Sequence, residues 1–523
     1  MSGVLAPRPL LATLRQRPEP VPPIEDPDLK RLTDASLNAA RSAGAAYADV
    51  RLTHTFTRRF GDIFPNGSHP AEEEEMTFGV RVLVDGYWGF ASSPVWTVDE
   101  AARLGMTAVQ NAKANTLGKS RTLDLAPIIP TPNGHWTMPV RDDPFRISRD
   151  EIDDFLGGIK YFIEGMGPRI AAAEPLAVFV QQDKAFASSL GQYYTQRLYR
   201  SSGDIGFVVM NEEGRSMGVR LTTLTPAGEG FEYFRDQSLR DQLVARYEEA
   251  LADLRLPIRP IDVGRYNVIF DAPAVAAFIS KSIGVATELD RALGYEANAG
   301  GTSYITEPHD MVGSLKIGSS SVTVTANRSE PGSVATVQWD DEGVTPRDFT
   351  LVNNGILADM QTTREGAGSL RDFYTKRGQP VASHGCAYTP AAIHAPLTHC
   401  ANLRLQPSGT TATFDSLIAD QQKAIAFKDV RSVMDFQQMT GYCEGHAYEI
   451  KQGKRVAILD HAGIIFRTPE LWNAVAAVGG STSQQRIGLR AVKGQPMQAS
   501  YHSVTAVPFA AKELTVIDTH RKA

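Results

Sequence analysis

The chain has 523 residues, of which 42% are hydrophobic and 21% are charged, a composition typical of soluble globular proteins. This length exceeds what one hydrophobic core normally organises and indicates about two to four domains. A net charge of −6 and a pI near 6.0 give no electrostatic reason to expect nucleic acid or an anionic membrane as a partner.

The cysteine content and the apolar runs bear on the compartment. Three cysteines, Cys386, Cys400 and Cys443, are too few for a disulfide framework and indicate a reducing compartment. No apolar run reaches the roughly 18 residues that a membrane-spanning helix needs. Met1–Glu25 has neither the continuous apolar core nor the cleavage site of a secretory signal. We therefore expect a cytoplasmic protein with no membrane partner.

The first elements follow from hydrophobic spacing. Residues 1–26 are rich in proline and predict a flexible arm. Apolar residues recur at helical spacing from Pro27 to Ala45, whereas Tyr47–Phe60 alternates apolar and polar residues like a strand. Phe78–Ser92 predicts a hairpin around Asp85-Gly86, a dipeptide suited to a tight turn.

The remainder of the first half predicts both helices and strands before a short linker. The elements are a helix over Thr97–Asn115, an irregular Pro-rich stretch over Leu123–Arg146, an element over Glu151–Ala173, strands near Leu176–Ser189 and Gln192–Asn211, and a helix over Ser238–Leu254. The linker is Leu256–Pro260, because its two prolines disfavour both a helix and a central strand. We therefore expect an N-terminal domain over residues 27–255 and a C-terminal domain over residues 256–523.

The second half predicts one helix and many strands. A strand over Gly264–Asp271 precedes a helix over Ala274–Gly294. The short strands that follow are Ser320–Ala326, Phe349–Met360, Leu403–Pro407, Gly445–Gln452, Lys454–Thr468 and Glu513–Thr519. The predicted fold class is α+β (mixed α/β), with an N-terminal helix/sheet domain and a β-rich C-terminal domain.

Three conspicuous features have simple structural interpretations. The acidic run Glu72–Glu75 is typical of a solvated loop or strand edge. Trp88 is most simply a core or interface aromatic residue. Glu288 and Arg291 are three residues apart on the predicted helix and lie at pairing distance, as surface or interdomain charges.

An ordered set of segments carries a family resemblance. The segments are Ala46–Leu52 (AYADVRL), Gly79–Ala91 (GVRVLVDGYWGFA), the helix Phe278–Gly294 with Gly301-Thr302-Ser303, Trp339–Arg364 with its Asp-Asp-Glu-Gly and Asn-Gly turns, and more weakly Lys493–Pro496 (KGQP). In this order they span most of the chain. The set resembles the TldD/PmbA family of metallopeptidases, although each segment alone would be weak evidence.

The resemblance implies two domains, the C-terminal one holding a catalytic helix. It also implies homodimers, or heterodimers of the TldD–TldE type, that enclose a channel for unfolded peptide. In catalytic members, the two His of a His-Glu-x-x-x-His helix and a later Cys hold zinc, while the Glu activates water. Three ligands and an open position suit catalytic zinc, and a carboxylate can take the proton of metal-bound water.

The spacing of the two His residues in the family motif requires a helix that is locally irregular. Residues at i and i+5 lie about 140° apart around an ideal helix. A locally widened turn is therefore needed to aim both side chains at one ion, and such turns occur at functional sites.

This chain departs from the family at every one of those positions. Ser280, Lys281 and Val285 stand where the helix carries His, Glu and His, and Ala491 stands at the Cys position. Val and Ala cannot ligate a metal, Ser is a poor zinc ligand, and a cationic Lys would repel the ion. The sequence contains neither His-Glu-x-x-His nor His-Glu-x-x-x-His. We therefore expect no metal and no other cofactor here, with no catalytic residue of the family intact.

Other residues offer two alternative chemistries. A relocated metal site could draw on His394, His399 and Cys400, or on Cys443 and His446 beside Glu444, although such His and Cys are more often structural. A nucleophile could come from Ser280-Lys281-Ser282 if a desolvated Lys activates a hydroxyl. Neighbours on a helix, however, point about 100° apart.

The acidic segment Asp340-Asp341-Glu342 is a third candidate. Paired carboxylates can bind a hard cation or perform acid–base catalysis, but a charged turn that shapes or lines a cleft is the simpler interpretation. Open strand edges bind extended peptides through backbone hydrogen bonds. The predicted peptide-positioning residues are Asp340, Asp341, Glu342, Gly343, Thr302 and Ser303.

Three functional hypotheses follow from these residues. The first is a non-catalytic subunit in a TldE-like role, which shapes a peptide channel with a catalytic TldD-like partner. The second is a peptidase or amide hydrolase that uses a relocated metal or a new nucleophile. The third is a stand-alone peptide-binding module.

Overall fold

A computed structural model describes residues 27–61, 71–116, 123, 125–128, 133–221 and 224–520. Helices and strands are mixed in both halves of the chain, which confirms the α+β class. The predicted arm over residues 1–26 lies outside the described residues. None of the helices in the described part of the chain is long and apolar enough to cross a membrane.

The first half builds helices around one large sheet. Its described elements are α1 (Pro27–Ser42), β1 (Tyr47–Phe60), β2 (Glu72–Val84), β3 (Tyr87–Ser93), α2 (Val98–Asn115), β4 (Gly134–Thr137), α3 (Arg149–Gly165), β5 (Ile170–Ser188), β6 (Tyr193–Met210), β7 (Ser216–Arg220) and α4 (Ser238–Asp253). The predicted first helix, first strand, hairpin and second helix are confirmed.

The strands of the first half form one sheet in the order β3-β2-β1-β5-β6-β4, and β7 also pairs with β6. The β2–β3 hairpin turns at Asp85 and Gly86, both of which have positive φ, 49° and 84°. Two such residues in a two-residue loop match the twist of the flanking strands. The acidic run Glu72–Glu75 begins β2 as a partly exposed strand segment, in agreement with its predicted place at a strand edge.

Helices cover this sheet in two places. Leu32 of α1 and Leu104 of α2 pack on Val50 and Val80 in one buried cluster. The side chain of Thr97 caps α2 by accepting the backbone N–H of Glu100 at 3.2 Å.

Helices α3 and α4 belong to a second cluster on the same sheet. Phe60, Phe179, Phe231 and Phe234 form its aromatic centre, with ring centroids 5.4 to 6.1 Å apart. The element predicted over Glu151–Ala173 is α3 followed by the start of β5. The first half therefore packs two separate hydrophobic clusters on one face of its sheet, because Val50 and Phe60 lie an even number of residues apart on β1.

The second half contains most of the strands. Its described elements are β8 (Ile258–Pro260), β9 (Gly264–Phe270), α5 (Ala272–Phe278), α6 (Leu289–Ala292), α7 (Pro308–Met311), β10 (Val324–Asn327), β11 (Phe349–Asn353), β12 (Ile356–Leu357), α8 (Arg364–Ser369), α9 (Arg371–Lys376), β13 (Ala387–Tyr388), β14 (Leu397–Thr398), β15 (Asn402–Leu405), α10 (Phe414–Ala419), β16 (Lys423–Met434), β17 (Thr440–Lys451), β18 (Lys454–Asp460), β19 (Ala462–Arg467), α11 (Thr468–Asn473), β20 (Val475–Val478), β21 (Gln485–Lys493), β22 (Gln498–Ala506) and β23 (Phe509–Asp518).

Two larger sheets organise these strands. One has the order β16-β9-β23-β19-β17-β18-β8, with β20 also on β23, and the other has the order β12-β11-β10-β15-β22-β21. The predicted linker Leu256–Pro260 contains β8, which pairs in parallel with β18. Its place at the edge of the sheet explains why proline is tolerated there. The domain boundary predicted at residue 256 stays a prediction.

The largest hydrophobic core lies in the second half and surrounds α5. Phe270 packs edge-on against Phe278 at 4.9 Å and against Phe509 at 5.4 Å between ring centroids. Phe278 also packs edge-on against Phe466. Edge-to-face packing is the favourable arrangement for such rings. It fixes α5 and the helical turn that follows it.

Buried charges join the two halves of the chain. On the first sheet, Asp49 accepts hydrogen bonds from Arg51 and, at 2.7 Å, from Arg81. Arg81 also donates to Glu342 at 2.9 Å, and Lys184 donates to Asp341 at 2.7 Å. Burial acts to raise the pKa of Asp49, but the charges of Arg51 and Arg81 hold that pKa below its usual value.

We expect Arg81→Met to lower the free energy of unfolding by about 3–5 kcal/mol, because Asp49 and Glu342 would then be buried without this cation. Denaturant unfolding followed by circular dichroism measures the change. Lys30→Met is the control, since Lys30 pairs with Asp34 on the half-exposed surface of α1 and such pairs contribute little. Equal effects of the two substitutions would contradict the role assigned to Arg81.

Candidate functional site

The helix that starts at α5 widens at the positions where the family places its metal ligands. The side chain of Asp271 caps α5 by accepting the N–H of Ala274 at 2.9 Å. Residues Ile279–Gly284 then form a π-helical turn, in which the N–H of Val285 donates to the carbonyl of Ser280. This bond joins the two positions five residues apart, so the widened turn expected for paired ligands is present.

The predicted continuous helix over Ala274–Gly294 is therefore wrong in detail. The π-helical turn is followed by a 3₁₀ turn over Val285–Thr287 and then by α6. The physical reason lies in the side chains that satisfy the carbonyl groups of the widened turn. Such insertions into the hydrogen-bond ladder are a common cause of irregular helices.

Those side chains are buried and come from distant parts of the chain. Tyr304 donates its hydroxyl to the carbonyl of Ser282 at 3.0 Å, and Gln361 donates to the carbonyl of Gly284 at 2.7 Å. Ser282 donates to the carbonyl of Phe278 at 2.6 Å and accepts the indole N–H of Trp472 at 2.9 Å. Protein groups thus hydrogen bond to the widened turn, and Ser282 is a structural residue within it.

Ser280 meets a histidine that the sequence did not single out. Its Oγ lies 2.8 Å from Nε2 of His502 on β22. His502 pairs with Leu489 on β21, and Ser500 pairs with Ala491. Residues two apart on a strand share a face. Ser280, His502 and Ala491 are therefore brought to the same side of this hairpin, although 211 residues separate Ser280 from Ala491 (491 − 280).

The other two helix positions, 281 and 285, supply no metal ligand. Lys281 donates its ammonium group to the carbonyl of Ser432, and burial lowers the pKa of Lys281. Val285 offers no donor atom. A zinc ion needs three N, S or O ligands, and the side chains at positions 280, 281, 285 and 491 do not provide them. These residues do not fit the family's metal.

The residues of the relocated metal site do not converge in the structure. Cys443 and His446 lie on β17 and point to opposite faces, because they are three residues apart. Burial raises the pKa of Cys443 to about 12 and raises the pKa of Cys400 well above its usual value. Within the described ranges, no three or more His, Cys, Asp or Glu residues are arranged to hold a metal ion.

The acidic segment at residues 340–342 is buried, and its oxygens bond within the chain. Asp340 accepts the backbone N–H groups of Val344 and Ala387. Burial and the neighbouring Glu342 raise the pKa of Asp340. Asp341 and Glu342 bind cations of the first sheet as described above, and Gly343 accepts a hydrogen bond from Gln192 at 3.0 Å.

Thr302 and Ser303 also bond within the chain. The N–H of Thr302 donates to the carbonyl of Phe436 at 2.8 Å, and the hydroxyl of Ser303 donates to that of Ala286 at 2.7 Å. The role of these two residues and of the acidic segment in positioning a peptide stays a prediction.

A cleft of about 660 Å³ lies between the β2–β3 hairpin and the second half of the chain. Arg81, Trp88, Glu342 and Glu365 are among its lining residues. The indole N–H of Trp88 donates to Glu365 at 2.9 Å, and the guanidinium of Arg81 lies 4.3 Å from the Trp88 ring centroid. The position of Glu342 agrees with the expectation that the acidic turn lines a cleft.

Lys493 joins the C-terminal motif to the end of the irregular helix. Its ammonium group donates to Glu288 at 2.9 Å, to Asp290 at 2.8 Å and to the carbonyl of Thr398 at 2.7 Å. Glu288 lies 3.6 Å from Arg291, as the helical spacing predicts. Of the two places expected for this pair, surface or interdomain, the surface is wrong, because both side chains are buried; the interdomain place stays a prediction.

Comparisons with known proteins agree with this geometry. Residues 263–516 match the PmbA/TldA metallopeptidase C-terminal domain, and residues 70–113 match the PmbA/TldA metallopeptidase domain 1. A metalloprotease of Methanocaldococcus jannaschii is 24% identical over 431 residues, 80% of this chain and 86% of the relative. A metalloprotease of Methanothermobacter thermautotrophicus is 24% identical over 390 residues, 74% of this chain and 77% of the relative.

The fold is also similar to solved structures. The crystal structure of TldE from Thermococcus kodakarensis has a TM-score of 0.71, with 13% sequence identity. The similarity covers 94% of this chain and 99% of that chain. At this identity the likeness concerns the fold alone.

His502 generates a testable dependence of stability on pH. Burial, assisted by the charge of Arg328, lowers the pKa of His502 to about 4. The unfolded chain therefore takes up a proton on this residue below about pH 6.5, which the folded chain takes up only near pH 4. Stability falls over this window as the pH falls, by up to about 3 kcal/mol.

We expect His502→Gln to make the loss of stability between pH 6.5 and pH 4 shallower, as measured by denaturant midpoints across that range. His309→Gln is the control, because His309 is exposed, and it should keep the wild-type slope. An unchanged slope in His502→Gln would show that His502 does not carry the effect.

Proposed function

The chain belongs to the TldD/PmbA family, and from this premise we propose that it acts as a non-catalytic subunit in a TldE-like role. In this role it shapes a peptide channel with a partner that carries an intact His-Glu-x-x-x-His centre. One observation carries the proposal. The widened turn of the metal helix is present, while Ser280, Lys281, Val285 and Ala491 occupy the positions of the ligands and the base.

The chemistry of these four side chains supports a non-catalytic role. A metallopeptidase needs a bound ion with an open position and a carboxylate that takes a proton from water. Position 281 supplies an ammonium group instead of a carboxylate, and its hydrogen bond to the carbonyl of Ser432 keeps it engaged. These four positions therefore lack the side chains that the family's catalytic mechanism requires.

The cleft supports the handling of a peptide. Its volume of about 660 Å³ lies within the range usual for ligand sites. Apolar side chains such as Trp88, Phe90 and Leu293 line it together with the carboxylates of Asp290 and Glu365. An extended peptide presents both apolar side chains and backbone amides, which such a surface can contact. We propose unfolded peptide as the ligand, in a homodimer or in a heterodimer with a catalytic TldD-like subunit.

One observation favours a second candidate function, a serine-dependent amide hydrolase. Ser280 Oγ lies 2.8 Å from His502 Nε2, and the low pKa of His502 keeps it neutral and able to accept a proton. Against this function, Nδ1 of His502 has no hydrogen-bond partner. The third member that orients the base in a catalytic triad is therefore missing.

We expect the isolated protein to bind no stoichiometric zinc and to leave an unfolded polypeptide uncut. Hydrolysis should appear after mixing with a TldD-like partner that has an intact His-Glu-x-x-x-His centre. Ser280→Ala and Lys281→Ala should each leave the rate of the mixture unchanged within about twofold, since neither residue takes part in the chemistry. Metal analysis after co-purification and a proteolysis assay provide the measurements.

The control replaces the metal-helix Glu of the partner with Gln, which should abolish hydrolysis by the mixture. Zinc bound to the isolated protein would refute the proposal. Hydrolysis by the isolated protein that Ser280→Ala abolishes would instead establish the serine-dependent alternative.

The widened turn predicts that the metal centre can be restored. The combined substitutions Ser280→His, Lys281→Glu, Val285→His and Ala491→Cys supply three zinc ligands around a turn that already has the spacing for them. We expect stoichiometric zinc binding in calorimetry. The matched control lacks only Ala491→Cys and should bind at least roughly tenfold more weakly, because even an outer-shell partner of a ligand contributes that much.

Circular dichroism establishes that both combined variants are folded. A folded four-substitution variant that takes up no zinc would show that the turn does not present positions 280 and 285 to one ion.

A further inference from the structure

Arg328 is a buried cation that makes no direct ion pair among the described residues, although its charge acts on the buried carboxyl of Asp340 and opposes the rise in the pKa of that group. Its side chain is 3% exposed, and its Nε donates to the carbonyl of Ala335 at 3.2 Å. Its Nη1 has no hydrogen-bond partner, and no carboxylate among the described residues forms an ion pair with it. Buried charges are normally paired, since an unpaired one costs several kcal/mol. An unpaired buried guanidinium therefore indicates a position for an anion.

The register of the strands places Arg328 on the same face as His502. Arg328 directly follows β10, whose Asn327 pairs with Asn402, and Leu403 lies beside Val504. If the register of β10 is continued by one residue, Arg328 falls at the level of His502, and its charge acts on His502 and lowers the pKa of that histidine. They are two strands apart, or about 10 Å between Cα atoms.

Small side chains lie between and beside Arg328 and His502 on this face. The strand between Arg328 and His502 presents Ala401 at their level, since Asn402 is the partner of Asn327. Ala491 lies opposite Ser500 on the neighbouring hairpin. Ala491, Lys281 and Val285 at the margin of this face are each partly exposed.

Other polar atoms around Arg328 also lack partners. Ser500 Oγ and His502 Nδ1 are buried without a hydrogen bond. The ring of His399 packs edge-on against Tyr388 at 5.5 Å, and the Arg328 guanidinium lies 5.7 Å from the same Tyr388 ring. Buried polar atoms are rarely left unsatisfied, because each costs about 1–3 kcal/mol.

These atoms are mainly hydrogen-bond donors. Burial and the charge of Arg328 lower the pKa of His502, and burial with the charges of Lys493 and Arg328 lowers that of His399. Both rings are therefore neutral near pH 7. When Ser280 donates its hydroxyl proton to Nε2 of His502, Nδ1 carries the proton and becomes a donor. Arg328, Ser500 and His502 together then offer three kinds of donor and one positive charge.

We propose that Arg328, Ser500 and His502 form a subsite for one carboxylate, the C-terminal carboxylate of a peptide. The planar guanidinium matches a carboxylate in geometry, and the hydroxyl and imidazole complete its hydrogen bonding. A carboxylate also supplies the negative charge that Arg328 lacks. The choice of a peptide terminus over another carboxylate rests on the proposed function of this chain in peptide handling.

The test compares two forms of one ligand on the full-length protein. An N-acetylated tripeptide with a free C-terminal carboxylate and the same tripeptide with a C-terminal amide are titrated in a calorimeter. We expect the free acid to bind at least about tenfold more tightly, since charge-assisted hydrogen bonds contribute at least that factor. Arg328→Gln should remove the difference between the two peptides.

Arg404→Gln is the matched control. Arg404 lies on β15, next to β10, and pairs with Glu330, so this substitution also removes an arginine from the same sheet but leaves the subsite complete. It should keep the preference for the free acid.

Thermal unfolding without peptide gives a second measurement. Arg328→Gln should not lower the midpoint, whereas a merely structural Arg328 would make it fall.

The possible results separate the carboxylate subsite from the proposed function in peptide handling. Equal binding of acid and amide, unchanged by Arg328→Gln, would overturn the carboxylate subsite and leave peptide binding intact. Binding of inorganic phosphate through Arg328 with no binding of either peptide would overturn the peptide terminus as the ligand and count against the proposed function. A preference for the free acid that Arg328→Gln removes and Arg404→Gln keeps would support the subsite.

Discussion

The structure depends on the burial of opposite charges where the first sheet meets the loop at residues 340–343. Asp341 and Glu342 carry negative charge into a region that excludes water, and Lys184 and Arg81 meet them from the other half of the chain. Neither set could be buried alone, because an isolated buried charge is strongly unfavourable. The two halves must therefore meet in one arrangement. That arrangement places Arg81 and Glu342 on the wall of the cleft.

The widened turn is stabilised in a different way, by hydrogen bonds between uncharged groups. Tyr304, Gln361 and Trp472 reach the turn from separate segments and satisfy groups that a regular helix would pair internally. Metal binding can supply folding energy in other proteins, whereas side chains of this chain itself bond to the turn. The widened turn does not require metal-ligating side chains, so Ser280 and Val285 can occupy the ligand positions without loss of the helix.

Local patterns predicted the elements whose signals are local. The Asp85-Gly86 turn and the Thr97 cap were predictable because the residue types themselves specify the conformation. The strands β16, β21 and β22 were not predicted. In β22 the buried positions include Ser500 and His502, so polar residues face inward and the expected alternation is lost. The role of His502 depends on tertiary register, which a single sequence does not display.

The positive charge of Arg328 links the lack of the family's metal ligands in this chain to the proposed carboxylate subsite. A zinc ion beside His502 would share that face of the sheet with Arg328, and cations in a buried region repel each other unless anionic ligands such as a Cys thiolate compensate their charge. Ser at position 280 and Ala at position 491 supply no such anion, and the cations near this face are the guanidinium of Arg328 and the ammonium of Lys281. A site of this kind cannot polarise water as a metal does, but it can attract and orient an anion. Under our proposal, the residues that stand in place of the family's ligands and base leave this region to bind the carboxylate at the end of a peptide.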